Sequence, residues 1–124
     1  MKYLIVSNNP LIKDLKNVIL VEGSYENVLI KVRDMVYEGV DLISHPLNAS
    51  MRMLYSPYRS ILVGDKNPKI DPFQIEIIEN SIIDYKKNLE HRNVDWKNGK
   101  DYATIDYELL KSTLVDLEVD INKI

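Results

Sequence analysis

Four short apolar runs, at residues 3–7, 18–22, 40–44 and 59–64, alternate with capped turns and stretches of helical periodicity, and this alternation most restricts the fold. A run such as Tyr3-Leu4-Ile5-Val6 offers apolar residues to both sides of a strand, so it suits a strand covered on both faces. Strand and helix in repetition predict a parallel sheet with helices packed on it. The expected class is therefore α/β: a mainly parallel four-stranded sheet with flanking helices and two C-terminal helices. At 124 residues the chain is expected to form one domain over 1–124. A chain of that size buries roughly two-thirds of the surface exposed by its unfolded form.

The connections carry their own signals. Asn9-Pro10 joins an N-cap to a first-turn proline and predicts a short helix to about Lys16. Ser24 caps a helix whose apolar residues, Tyr25, Val28, Leu29, Val32, Met35 and Val36, keep three-and-four spacing until Gly39 ends it. A short helix is expected from Ala49 to about Tyr55. Asp71-Pro72-Phe73-Gln74 combines an N-cap, a first-turn proline and a capping-box glutamine, predicting a helix to about Arg92. Its face runs through Ile75, Ile78, Ile82, Tyr85 and Leu89, widened by Ile77. After a polar link over 93–100, Tyr107, Leu110, Leu114, Leu117 and Ile121 mark a last helix from about Asp106. Trp96, in the link, is expected to anchor a core or an interface. The isoleucine stripe is wider than a core this small covers, so a homodimer is one expected partnership.

Composition removes several function classes. With no cysteine, disulfides, thiolate nucleophiles and Cys-ligated metal are out, and no cofactor is expected. The two histidines are 46 residues apart, so no metal site is expected. A net charge of -3 argues against nucleic acid, which needs a basic face to displace counterions. The apolar start is too short for a signal-peptide core or a membrane span; a cytoplasmic protein with no membrane partner is expected. Walker, G-x-G-x-x-G and G-x-S-x-G patterns are missing.

One segment departs from the average. Leu42 to Gly64 holds His45, Arg52 and Arg59 and no acidic residue over 23 positions. In a parallel sheet the turns Ser7-Asn8-Asn9, Glu22-Gly23-Ser24, Ser44-His45-Pro46 and Gly64-Asp65 share the carboxyl edge, where helix N-termini offer free N–H groups. Asn8, Asn9, Ser24, His45, Arg52 and Arg59 are thus the candidate anion-binding residues. Simpler roles compete: caps for Asn9 and Ser24, a backbone-bonded turn for His45, and ion pairs with Asp65 or Glu22 for the arginines. The catalytic residues, if the chain is an enzyme, stay unassigned.

Read together, NNPLIK at Asn8–Lys13, VEGSYENVLIKVRD at Val21–Asp34, GVDLISHPLNASMRMLYSPYRSILVG at Gly39–Gly64, IEIIENSI at Ile75–Ile82 and DYELLKS at Asp106–Ser112 resemble the GrdX family. The His-Pro-Leu to Ser-Pro-Tyr-Arg-Ser block is the most specific part of the likeness. The resemblance implies a protein encoded beside glycine, sarcosine and betaine reductase genes in amino-acid-fermenting anaerobes. It implies an accessory or regulatory role that binds a small anion or a glycine reductase component, and it brings no catalytic residues. The alternative from residues alone is a small enzyme acting on a phosphorylated or carboxylated substrate, with His45 as acid or base. A third reading is a structural protein that self-associates through its C-terminal helices.

Overall fold

A computed structural model describes residues 3–117. Leu4–Ser7 (β1), Val18–Leu20 (β2), Val40–Leu42 (β3) and Ser60–Lys66 (β4) form one sheet in the order β2-β1-β4-β3. β1 and β2 are parallel, with Ile5 opposite Val18. The short crossover between them carries a 3-10 helix, Pro10–Ile12, capped by Asn9, whose side chain accepts from the Leu11 N–H.

β4 corrects the expectation of a mainly parallel sheet. It inserts between β1 and β3 and runs antiparallel to both, with Ser7 opposite Ser60 and Val40 opposite Lys66. The sheet is mixed. The cause lies in the connection after β3: its only helical element is a 3-10 helix, Met51–Tyr55, set between Pro46 and Pro57. A parallel return needs a crossover long enough to span the sheet face, and here the chain turns back at the edge where it emerged. Arg59 and Ser60 therefore arrive beside Ser7 and Asn8. Gly64-Asp65, expected at that same edge, sits at the opposite one, where the Asn67 N–H donates to the Gly39 carbonyl at 2.8 Å.

Helices cover both faces. Tyr25–Tyr37 (α1) buries Tyr25, Val28, Leu29, Val32, Met35 and Val36, the face its spacing predicts. It stops before Gly39, whose φ of +95° is the left-handed conformation that favours glycine. Pro72–Leu89 (α2) packs beside α1, and the Tyr25 and Tyr85 rings stack with centroids 4.6 Å apart. Asp71 caps α2 through the Phe73 N–H. Gln74 forms no capping box; its Oε1 instead accepts the Leu42 N–H at 2.9 Å, satisfying a donor of edge strand β3 that β4 does not take. Ile78 and Ile82 are buried, whereas Ile77, Ile83 and Phe73 are exposed, so Ile77 does not widen the buried stripe.

The opposite face is covered by Gly99–Asp116 (α3) and the first 3-10 helix, which bring Leu110, Leu114 and Ile12 onto Ile5 and Leu62. α3 begins about two turns before the expected Asp106. The Asp95 carboxylate organises that start, accepting the Asn98 N–H and side-chain amide, and these bonds hold it below the usual carboxylate range. Of the expected stripe, Leu117 is exposed and Ile121 lies outside the described residues. Trp96 is more than half exposed and meets Tyr58 edge-on rather than anchoring a core. Among the described residues no helix is long and apolar enough to cross a membrane.

Candidate functional site

Because β4 is antiparallel, the carboxyl ends of β1, β2 and β3 meet the amino end of β4, and the polar residues there must satisfy one another. Ser7 and Ser60 share a hydroxyl hydrogen bond at 2.8 Å. Asn8 is a three-way staple: its amide donates to the carbonyls of Gly23 and Pro57, and its oxygen accepts the Arg59 N–H. The Asn9 amide donates to the Ala103 carbonyl and the Asp106 carboxylate. Asp106, on α3 and 1% exposed, also accepts the Ser60 N–H at 3.0 Å and the Ser60 hydroxyl at 2.6 Å. Sequence reasoning passed over Asp106 as a helix start. Extending the stripe backwards through Leu114, Leu110, Asp106 and Ala103 places a carboxylate on the buried face, the signal for a buried acceptor with dedicated donors.

Arg59 lies beside this network, 8% exposed. Its Nε donates to the Pro46 carbonyl at 2.9 Å, Nη1 to Asn48 Oδ1 at 2.9 Å and Nη2 to the His45 carbonyl at 2.6 Å. Three of the five guanidinium N–H groups thus clamp the turn after β3. Among the described residues the ion pairs are Arg33–Asp34, Lys86–Glu26 and Lys111–Glu108, all elsewhere. Arg59 therefore holds neither Asp65 nor Glu22. Its charge is felt by the buried Tyr25 hydroxyl, which accepts the Asn48 N–H; burial pushes that phenol up, and Arg59 opposes the shift.

Above Arg59 the segment 44–53 and α3 stand apart and leave an open cleft of about 780 Å³. His45, Arg52 and Arg59 all line it; Asn8, Asn9 and Ser24 do not. Asn8 and Asn9 are consumed by the network just described. Ser24 closes a capping box with Asn27 at the start of α1, the simpler of its two roles. His45 is exposed, and its Nδ1 accepts the Leu47 N–H at 3.0 Å, so the imidazole stabilises its own turn while lining the cleft. Arg52 is exposed on the second 3-10 helix, with no hydrogen bond or ion pair to a described residue. It stands near the Tyr102 phenol, which burial and Asp95 push up while Arg92 and Arg52 oppose. Leu47, Met53, Ile105 and Leu109 make apolar walls, and Asp101 is the one acidic side chain among the lining residues. Among the described residues no group of three or more His, Asp or Glu is placed to hold a metal ion.

The family model for GrdX-like proteins matches residues 4–115. The chain belongs to the GrdX-like protein family. The matched span takes in all four strands and both cleft walls. No curated protein and no solved structure matches the chain.

Proposed function

We propose that this GrdX-like protein is an accessory or regulatory component of reductive amino-acid metabolism that binds a small anion or a glycine reductase component at the cleft. Family membership supports the metabolic setting. The observation that carries the binding role is Arg52: an exposed guanidinium on the cleft wall, free of hydrogen bonds to described residues, in the same cleft as the fixed positive charge of Arg59. A guanidinium with its fork unengaged is suited to bidentate contact with a carboxylate or phosphate. The cleft wall over 44–53 lies within the span that the family model matches.

The test is a thermal-shift and calorimetric screen of the purified protein with phosphate, acetyl phosphate, glycine and betaine. A specific shift, weakened at least tenfold in Arg52→Ala, is the expected result, because each charge-assisted hydrogen bond is worth about 1.5–3 kcal/mol. The melting temperature of unliganded Arg52→Ala should match wild type. Turnover of acetyl phosphate that disappears in His45→Ala would overturn the accessory reading in favour of an enzyme.

A further inference from the structure

Resting on the reading of this cleft as an anion site, we infer that its ligand is an amphipathic organic carboxylate, with a charged head at Arg52 and an apolar body of several carbons between the walls. The volume points this way first. About 780 Å³ lies within the range of roughly 300–1,000 Å³ typical of clefts that bury a sizeable organic molecule, far more than phosphate or acetate fills. The lining points the same way. Leu47, Met53, Ile105 and Leu109 all line the cleft; Met53 is buried, but the α3 pair, Ile105 and Leu109, are 43% and 40% exposed despite their apolar character. A small hydrated anion at Arg52 would leave those walls in water, whereas a hydrocarbon body laid along them would remove their surface and its own from solvent.

Charge fixes the polarity of the occupant. Arg52 and Arg59 against Asp101 leave the cleft with a net positive balance, and Asp106 behind Arg59 is already committed to Ser60 and Asn9. Arg59 cannot swing out to meet a ligand without releasing the carbonyls of His45 and Pro46. It supplies a fixed field, and the exposed Arg52 supplies the directional contact.

The experiment is calorimetric titration of the full chain with straight-chain monocarboxylates from butanoate to decanoate, with the matching primary alcohols and with inorganic phosphate. Affinity should rise about fourfold per methylene until the cleft is filled, following the transfer free energy of a CH₂ group. Alcohols should bind at least tenfold more weakly than the acids. Arg52→Ala should lower carboxylate affinity at least tenfold and leave the chain-length slope in place. Leu109→Asn should flatten that slope while lowering the melting temperature by only a few degrees, because the residue is already partly exposed. Phosphate and every chain length binding alike would overturn the inference while leaving the small-anion reading intact. Alcohols binding as tightly as acids would also overturn it. Failure of every anion to bind overturns both.

Discussion

Replacing Arg59 with methionine keeps most of the stem volume while removing the charge and every donor, and so isolates what the guanidinium does. Three acceptors lose their partner: the carbonyls of Pro46 and His45 and the Asn48 amide oxygen. Hydrogen bonds to a charged group contribute about 1.5–3 kcal/mol each, but they do not add, and acceptors near the exposed His45 can turn to water. The Pro46 carbonyl belongs to a buried residue and has less recourse. Against these losses stands relief from holding a guanidinium out of water, which on its own favours an apolar replacement. Leaving a buried acceptor unpaired costs about 1–3 kcal/mol, so three orphaned acceptors, with those near His45 able to turn to water, bring the expected figure to about 3 kcal/mol. For a chain of this size that lowers Tm by roughly 10 °C. Urea unfolding followed by far-ultraviolet circular dichroism measures it, with Arg59→Lys beside it; one ammonium cannot reach three diverging acceptors, so lysine should restore less than half. A loss under about 1 kcal/mol for Arg59→Met, at an unchanged slope, refutes the clamp.

Asp106→Asn should cost about 2–4 kcal/mol in the same assay, because the new amide would set a donor against the Asn9 amide where a carboxylate oxygen now accepts it. Tyr85→Phe should be neutral or stabilise by up to about 1 kcal/mol: the phenol oxygen is buried with no hydrogen-bond partner among the described residues, so its removal lifts a desolvation cost. Burial raises the phenols of both Tyr25 and Tyr85 above the ordinary value near 10, so the folded state holds them neutral where the unfolded chain would ionise them. Their contribution to stability is complete below pH 10 and declines as the pH rises above it. In an ultraviolet titration, therefore, these two of the eight tyrosines should ionise together with alkaline unfolding; smooth ionisation of all eight in the folded state counts against that packing.

The strands, the buried face of α1 and the caps at Asn9, Ser24 and Asp71 were legible because each is a local matter of period or of one side chain meeting nearby N–H groups. The direction of β4 was not. Ile61-Leu62-Val63 is buried on both sides and reads the same whichever way the strand runs, so only the connection could decide it. The two prolines and the brevity of any helix over 44–59 were the available sign that the chain does not cross the sheet. His45, Arg52 and Arg59 were found as a group through the missing acids around them, and the structure brings all three to one cleft. Asn8 and Asn9 could not be separated from them by composition. Whether an amide faces a cavity or staples backbone depends on which distant carbonyls arrive, here Gly23, Pro57 and Ala103.

The antiparallel strand explains why a cleft exists at this edge at all. A fourth parallel strand would have carried Arg59 and Ser60 to the far end of the sheet and led the chain between β3 and β4 across a face as a helix. Instead the whole of 43–59 stays at one edge, too long to close as a tight turn and too interrupted by proline to pack as a helix. Two buried side chains of opposite charge hold it there: Asp106 ties the amino end of β4 to α3, and Arg59 ties that same end to the turn after β3. With both ends of the excursion fixed to the sheet and α3 fixed beside it, the segment 44–53 stands off from the helix and leaves the cleft between them. The substitutions that loosen that network, at Arg59 or Asp106, are thus expected to degrade binding and stability together, whereas those at the exposed Arg52 change binding alone.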